Sequence, residues 1–304
     1  VLVAPCCQAR GKVQSVDTFD FNTDEYLNLL RDEFSQGKKP SACQRCWDAE
    51  NIGQKSRRQS ATEFFNIEAS DQVVLQGLDF NATWACNSAC IMCGPQLSSL
   101  WATELGVASA EKAKFRSNPI VDKLELSNLA KVHFNGGEPL LSKEHVDFLF
   151  AIPNKSQVSL SYNTNATVLP SNRLNDLWLQ FKLVELCFSI DDVEQRYEYQ
   201  RWPAKWPQVQ NNLSWYIENG NHNSLYVVNT AVSLLNQHNL HSLESWLKNN
   251  FAKTKFSDDI HHRKQLATGA YNLSANIFRV RQMLDSLDQS RGTNWRTTFP
   301  ELSS

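Results

Sequence analysis

The stretch DFNATWACNSACIMC, Asp79 to Cys93, runs from the end of a strand pattern, Val73–Phe80, into Cys86, Cys90 and Cys93. Three thiols thus fall within eight residues of a 304-residue chain that has eight cysteines in all. Structural zinc closes a tetrahedron with four Cys or His ligands, so a compact trio is one ligand short unless a distant residue returns to complete it. A cubane [4Fe-4S] cluster held by three thiolates leaves one iron with an open position, which is what catalysis at a metal requires. The spacing, three residues and then two, directly after a strand pattern, lets one loop at a strand end wrap all three thiolates around one cluster.

Outward from that loop, from about residue 71, apolar β-type runs alternate with helical patterns, the texture of βα repeats on a parallel sheet. The expected strands are Val73–Phe80, Ala130–Gly136, Gln157–Thr164, Leu183–Ile190 and Leu225–Val232, with helical segments opening at Lys143, Ser171, Trp206 and Leu240. Five such units, or six, fall short of the eight of a closed barrel. The expected fold is therefore α/β, a partial (β/α)6 TIM-like barrel over residues 71–270, with a doubly wound sheet as the alternative. Either fold builds its sites at the C-terminal ends of strands. Residues 1–70 are polar, carry two cysteine pairs and include a helix from Thr23 to Phe34 with Thr23 as N-cap, so they read as a small cysteine-rich module. Residues 271–304 read as a helix followed by a polar tail.

Thirty Lys plus Arg against 32 Asp plus Glu leave a net charge of −2, which recommends no nucleic-acid partner. A mean hydropathy of −0.44 and the lack of a bilayer-length apolar run lead to the expectation of a soluble protein without membrane association. Seven of the eight cysteines lie in the first third of the chain with no secretion signal before them, which points to metal or redox chemistry in the cytoplasm. A chain that begins at Val1 without an initiator Met leaves an export signal, and with it a secreted disulfide protein, as an open alternative.

The CxxxCxxC pattern after the first strand, with Asn87 behind the first cysteine and Met92 before the last, resembles the signature of the radical S-adenosylmethionine superfamily. Further landmarks follow in order. HFNGGEPLL supplies Gly136, Gly137, Glu138 and Pro139, similar to the GGEP segment that meets the methionine amino group of the cofactor; read alone, they are a Gly-Gly turn ended by Pro. YNTNAT, Tyr162 to Thr167, resembles the TNG-type turn, with Ala166 where Gly is commoner, and CFSIDDVEQRYEYQR, Cys187 to Arg201, resembles a strand ending in S-x-D followed by a helix and an Arg. The resemblance implies that Ser189 and Arg201 bind the ribose or carboxylate of S-adenosylmethionine, with Asn163 or Asn165 assisting; singly, each is an ordinary polar residue at a strand end. It further implies reductive cleavage of S-adenosylmethionine to methionine and a 5'-deoxyadenosyl radical that abstracts hydrogen. An external one-electron donor such as flavodoxin or ferredoxin is implied too, with a peptide or protein as substrate on family frequency.

PCC (Pro5 to Cys7) and CQRC (Cys43 to Cys46) taken alone suit a zinc ribbon. With the intervening helix and the SRRQ that follows, they also resemble the twitch or SPASM auxiliary module, which usually comes after the barrel. Cys187, inside a strand pattern, reads as a buried inert thiol, so four cysteines remain for one auxiliary iron-sulfur cluster. Its expected ligands are Cys6, Cys43 and Cys46, with Cys7 in reserve and the fourth ligand open. His133 has a core or supporting place, His261 and His262 a solvated loop, Trp178, Trp215 and Trp246 core positions, and Trp202 and Trp206 a place facing the cleft. The rival from another class is a non-catalytic binding protein braced by zinc or an iron-sulfur cluster.

Overall fold

The structure, a computed structural model, describes residues 2–9, 14–15, 19–66, 73–107, 124–251 and 277–303. The N-terminal part pairs β1 (Leu2–Val3) antiparallel with β2 (Gln14–Ser15), followed by α1 (Glu25–Ser35), α2 (Gln44–Asn51) and α3 (Arg57–Phe65). Asp24, not the expected Thr23, caps α1: its carboxylate accepts from the Leu27 amide at 2.8 Å, and an acidic cap also complements the positive end of the helix. A capping box between Ser56 and Gln59 starts α3.

The remainder runs β3 (Gly77–Thr83), α4 (Ser99–Glu104), β4 (Lys131–Gly136), α5 (Glu144–Ala151), β5 (Ser159–Thr164), α6 (Asn172–Trp178), β6 (Leu183–Ser189), α7 (Glu194–Gln200), α8 (Trp206–Asn219), β7 (Ser224–Asn229), α9 (Leu240–Phe251), α10 (Ile277–Arg291) and α11 (Trp295–Thr298). Strands β3 to β7 are all parallel and lie in the sheet in sequence order. Right-handed crossovers with unreversed order carry every helix to the same face, so the sheet is of the partial-barrel kind; a doubly wound sheet would reverse its order at a switch point. Five barrel strands are present among the described residues, one fewer than the six-unit expectation.

Strand β3 starts four residues later than expected and runs on to Thr83, because ladder pairing begins at Gly77 with Lys131, and Val73 and Val74 stay exposed. Gly77 makes room for the Phe65 ring of α3, which occupies the space a side chain would need. On the helix-covered face Phe80, Phe134, Leu160, Tyr162, Leu186, Phe188 and Val228 are buried in the main core. Register on the opposite, inner face places Asp79, His133, Ser161, Glu185 and Leu225 in one cross-strand row. Asn81, Asn135, Asn163, Cys187 and Val227 form the next row toward the C-terminal ends.

Two further expectations change. Trp206 does not face a cleft; it is buried in the main core between Tyr197 and Trp246, where it roots the start of α8. The C-terminal segment is not a polar tail, since Trp295, Phe299 and Leu302 are buried with Ile91, Trp101, Tyr199 and Leu284 in a second core beneath the cysteine loop. His261 and His262 lie outside the described residues. Among the described residues no helix is long and apolar enough to cross a membrane.

Candidate functional site

The loop leaving β3 carries Cys86, Cys90 and Cys93 and is tied down on three sides. Ala89 and Ile91 donate their amides to the carbonyls of Trp202 (2.6 Å) and Gln200 (2.9 Å) at the end of α7. The Trp101 indole donates to the Cys90 carbonyl at 2.7 Å, and the Ser98 hydroxyl to that of Ser88 at 2.7 Å. Arg291 of α10 donates to the Ala89 carbonyl at 3.1 Å, which brings the C-terminal segment into the support. A loop with its backbone held in this way presents its side chains in a fixed arrangement.

Gly136 and Gly137 meet this loop directly. A side chain at either would run into backbone atoms, Thr83 for Gly136 and Ala85 and Trp84 for Gly137. Gly136 also adopts φ of +113°, a conformation that glycine tolerates. The close approach lets Gly137 donate to the Thr83 carbonyl and Glu138 to that of Ala85, both at 2.8 Å. The glycines thus serve backbone contact with the cysteine loop itself. Pro139 follows at the start of a short 3-10 turn, Pro139–Leu141, which the Glu138 side chain caps through the Leu140 amide.

Glu138 is fully buried and joins the motifs. Its carboxylate accepts from the Thr164 hydroxyl and the Asn165 amide, both at 2.8 Å, at the end of β5. Asn165 in turn donates to Asn87 Oδ1 (2.9 Å) and Ser88 Oγ (3.1 Å), between Cys86 and Cys90, and Asn87 donates to Thr167 Oγ1 at 2.8 Å. Burial pushes the Glu138 carboxyl up to about 7 against the pull of these donors. Ala166, where Gly is commoner, has φ of +60°, the left-handed conformation that explains that preference.

Arg201 is buried and donates through Nε to Asp191 Oδ2 at 2.7 Å, while its Nη1 lies 3.8 Å from Cys90 Sγ. Asp191 is held by the Ala231 amide at 2.7 Å, so the guanidinium is fixed against the cysteine loop. Ser189 stands at the end of β6 opposite Asn229 and makes no side-chain hydrogen bond among the described residues. Asn163 does not join the Glu138 network: its amide points to Asn135 Oδ1 (2.5 Å) and His133 Nε2 (3.2 Å) on the inner face.

Burial raises all three loop thiols, Cys86 to about 11 and Cys90 to about 12, with Arg201 pulling Cys90 and Cys93 the other way. One buried and two half-buried thiols, with Arg201 as the cation acting on them, fit a cationic metal group, which deprotonates its own ligands. Among the described residues no three His, Cys, Asp or Glu side chains converge on a single ion. The three thiols nonetheless share one eight-residue loop with its backbone held in place, a donor set that suits thiolate ligation of an iron-sulfur cluster.

In the N-terminal part Cys6 and Cys7 are exposed, Cys43 half-buried and Cys46 buried. A hydrogen bond from Cys7 leads the causes that bring Cys6 down to about 6, with the Gln8 amide also donating at 3.2 Å. Cys43 is raised by burial and then by the charges of Cys46 and Cys6. Arg57 spans the two parts of the chain, gripping both oxygens of Asp79 on β3 at 2.8 Å. All eight cysteines are free thiols. Sequence reasoning gave no role to Asn87, Thr164 and Asp191; all three stand inside the quoted motifs, but only the fold shows whom they bond.

No protein-family model and no curated protein matches the sequence. Among solved structures the chain is similar to SuiB of Streptococcus suis bound to S-adenosylmethionine, at 13% identity and a TM-score of 0.41 over 90% of this chain and 65% of that one. It is also similar to native anSMEcpe with bound AdoMet, at 16% identity and a TM-score of 0.44 over 72% of this chain and 62% of that one. A third similarity is to anSMEcpe with bound AdoMet and the Cp18Cys peptide, at 14% identity and a TM-score of 0.41 over 58% of this chain and 48% of that one. The chain thus spans under two thirds of the length of each of these proteins.

Proposed function

We propose that this chain is a radical S-adenosylmethionine enzyme, with Cys86, Cys90 and Cys93 as ligands of a catalytic [4Fe-4S] cluster. One observation carries the reading. Three segments matched to the superfamily separately, far apart in the chain, are joined by the hydrogen bonds of Glu138, Asn165 and Asn87 into one site at the C-terminal ends of β3, β4 and β5. A chance CxxxCxxC loop has no reason to be bonded to a GGEP turn and a TNA turn.

Bound there, the cluster and S-adenosylmethionine would supply one-electron cleavage of a carbon-sulfur bond and hydrogen abstraction from the substrate. The chain's own residues do the rest. Gly136 and Gly137 hold the GGEP turn against the cysteine loop; Glu138 and Pro139 shape the edge where the cofactor's amino group is received. Glu138 can take or share a proton there, because burial brings it near neutrality. Arg201, fixed by Asp191, offsets negative charge at Cys90; Ser189 would face the remaining cofactor oxygens, while Asn165, whose amide is spent on Asn87 and Ser88, assists by holding its turn to the cysteine loop. The second core under the loop excludes water from one side. The N-terminal module is read as twitch- or SPASM-like, with Cys6, Cys43 and Cys46 holding an auxiliary iron-sulfur cluster. A peptide or protein is the proposed substrate, flavodoxin or ferredoxin the electron donor, and the cytoplasm the setting.

The test is anaerobic reconstitution with iron and sulfide, reduction with dithionite, and assay of 5'-deoxyadenosine after S-adenosylmethionine is added. The reading expects nucleoside product that Cys90→Ala abolishes. Zinc in place of iron, with no nucleoside from a well-loaded sample, would replace it with a metal-braced binding protein.

A further inference from the structure

A parallel sheet in a barrel ordinarily packs its inner face with branched apolar side chains. Here the two inner rows are polar on four of the five strands, from Asp79, His133, Ser161 and Glu185 to Asn81, Asn135, Asn163 and Cys187, and only β7 contributes Leu225 and Val227. His133, Asn135, Asn163 and Glu185 are all half-buried. Glu185 accepts on Oε1 from Ser161 Oγ at 2.7 Å and from the Cys187 thiol at 3.4 Å, while its Oε2 has no partner among the described residues. The cations of the same face are engaged elsewhere. Arg57 grips Asp79, and Lys131 Nζ lies 4.7 Å from the centre of the Phe64 ring.

We propose that this inner face binds the substrate through a primary ammonium group, with Glu185 as its acceptor. The ammonium donates to Oε2 and to Ser161 Oγ; the amides of Asn135 and Asn163 flank it, and Leu225 and Val227 take the methylene arm. An anionic group meets no unengaged cation on these rows. The proposal rests on the catalytic reading, since Glu185 and Ser189 share one face of β6. Four residues of strand, about 13 Å, put the reacting carbon several bonds from the ammonium.

The test uses the metal-free full chain at pH 7 and three probes of one size, 1-pentylamine, 1-pentanol and pentanoate, with affinities read by saturation-transfer NMR. A charge-assisted hydrogen bond in a half-buried place is expected to favour the amine at least about tenfold over the other two. Glu185→Gln is expected to bring the three within about twofold of one another, and Glu218→Gln, an exposed carboxylate of α8, to leave the preference intact. Pentanoate binding as tightly as the amine, an amine preference that survives Glu185→Gln, or no saturable amine binding would each overturn the proposal. Because the measurement needs neither cluster nor S-adenosylmethionine, its failure is distinct from failure of the catalytic reading.

Discussion

Gly137→Ala tests the claim that the GGEP turn is built to seat the cysteine loop. The new Cβ would collide with the Ala85 carbonyl oxygen and come to 2.7 Å from the Ala85 carbonyl carbon and 2.9 Å from Trp84 O. All three are backbone atoms, so no rotamer change relieves the conflict, and the turn and the loop must part. Parting stretches the Gly137–Thr83 and Glu138–Ala85 hydrogen bonds, each now 2.8 Å. Overpacking of this kind costs about 1–3 kcal/mol and two weakened backbone bonds about 1 kcal/mol each, so the expected loss is about 3–5 kcal/mol. Gly37→Ala is the control: Gly37 has φ of +69° and nothing within 4 Å of an added Cβ, so only the left-handed backbone costs, about 1–2 kcal/mol. Urea unfolding of the metal-free protein measures both, and iron per chain after reconstitution reports whether Cys86, next to Ala85, has moved. A Gly137→Ala protein within about 1 kcal/mol of wild type that loads iron normally would refute the reasoning.

Arg201→Gln leaves the Asp191 carboxylate buried without its cation and is expected to lower stability by about 3–5 kcal/mol, with part restored by adding Asp191→Asn; urea midpoints of the two variants decide it. Glu138 titrates near 7 when folded against 4.5 unfolded, so its contribution is whole below pH 4.5 and is lost as pH rises through 7. Buried His145, at about 4 against 6.5, behaves oppositely: its contribution is whole above pH 6.5 and is lost as pH falls through 4. The two slopes offset one another in wild type across their shared window. Glu138→Gln is expected to uncover a rise of about 3 kcal/mol from pH 4 to 6.5, read as urea midpoints against pH. Trp295→Ala removes a buried ring from the second core and the indole's 2.8 Å hydrogen bond to Asp285, for an expected loss of about 3–5 kcal/mol, measured the same way.

The strands and helices of the barrel were legible in the chain because each is short, apolar and punctuated by a turn. All five expected strands form, four of them within two or three residues of their expected ends. The start of β3 was not legible: VVLQ has strand composition, and only the partner strand decides where pairing begins. The C-terminal segment misled for a related reason. RGTNWRTTFPELSS has a polar average, yet its few apolar residues point one way into the core under the cysteine loop. Within the site, hydrogen bonds join the cysteine loop, the GGEP turn and Asn165. Asn163 and Asn165, interchangeable in the sequence, would share one face of a continued strand, but β5 ends at Thr164 and the chain turns there. The turn sends Asn165 to the cysteine loop and leaves Asn163 on the inner face.

The most direct test of the central claim is electron paramagnetic resonance of the reconstituted, dithionite-reduced protein with and without S-adenosylmethionine, on Cys43→Ala as background so that the loop site is observed. A cluster held by Cys86, Cys90 and Cys93 with an open iron predicts a reduced [4Fe-4S] signal whose g-values shift when S-adenosylmethionine binds and which Cys90→Ala removes. A signal indifferent to S-adenosylmethionine, or one that survives Cys90→Ala, would contradict the account.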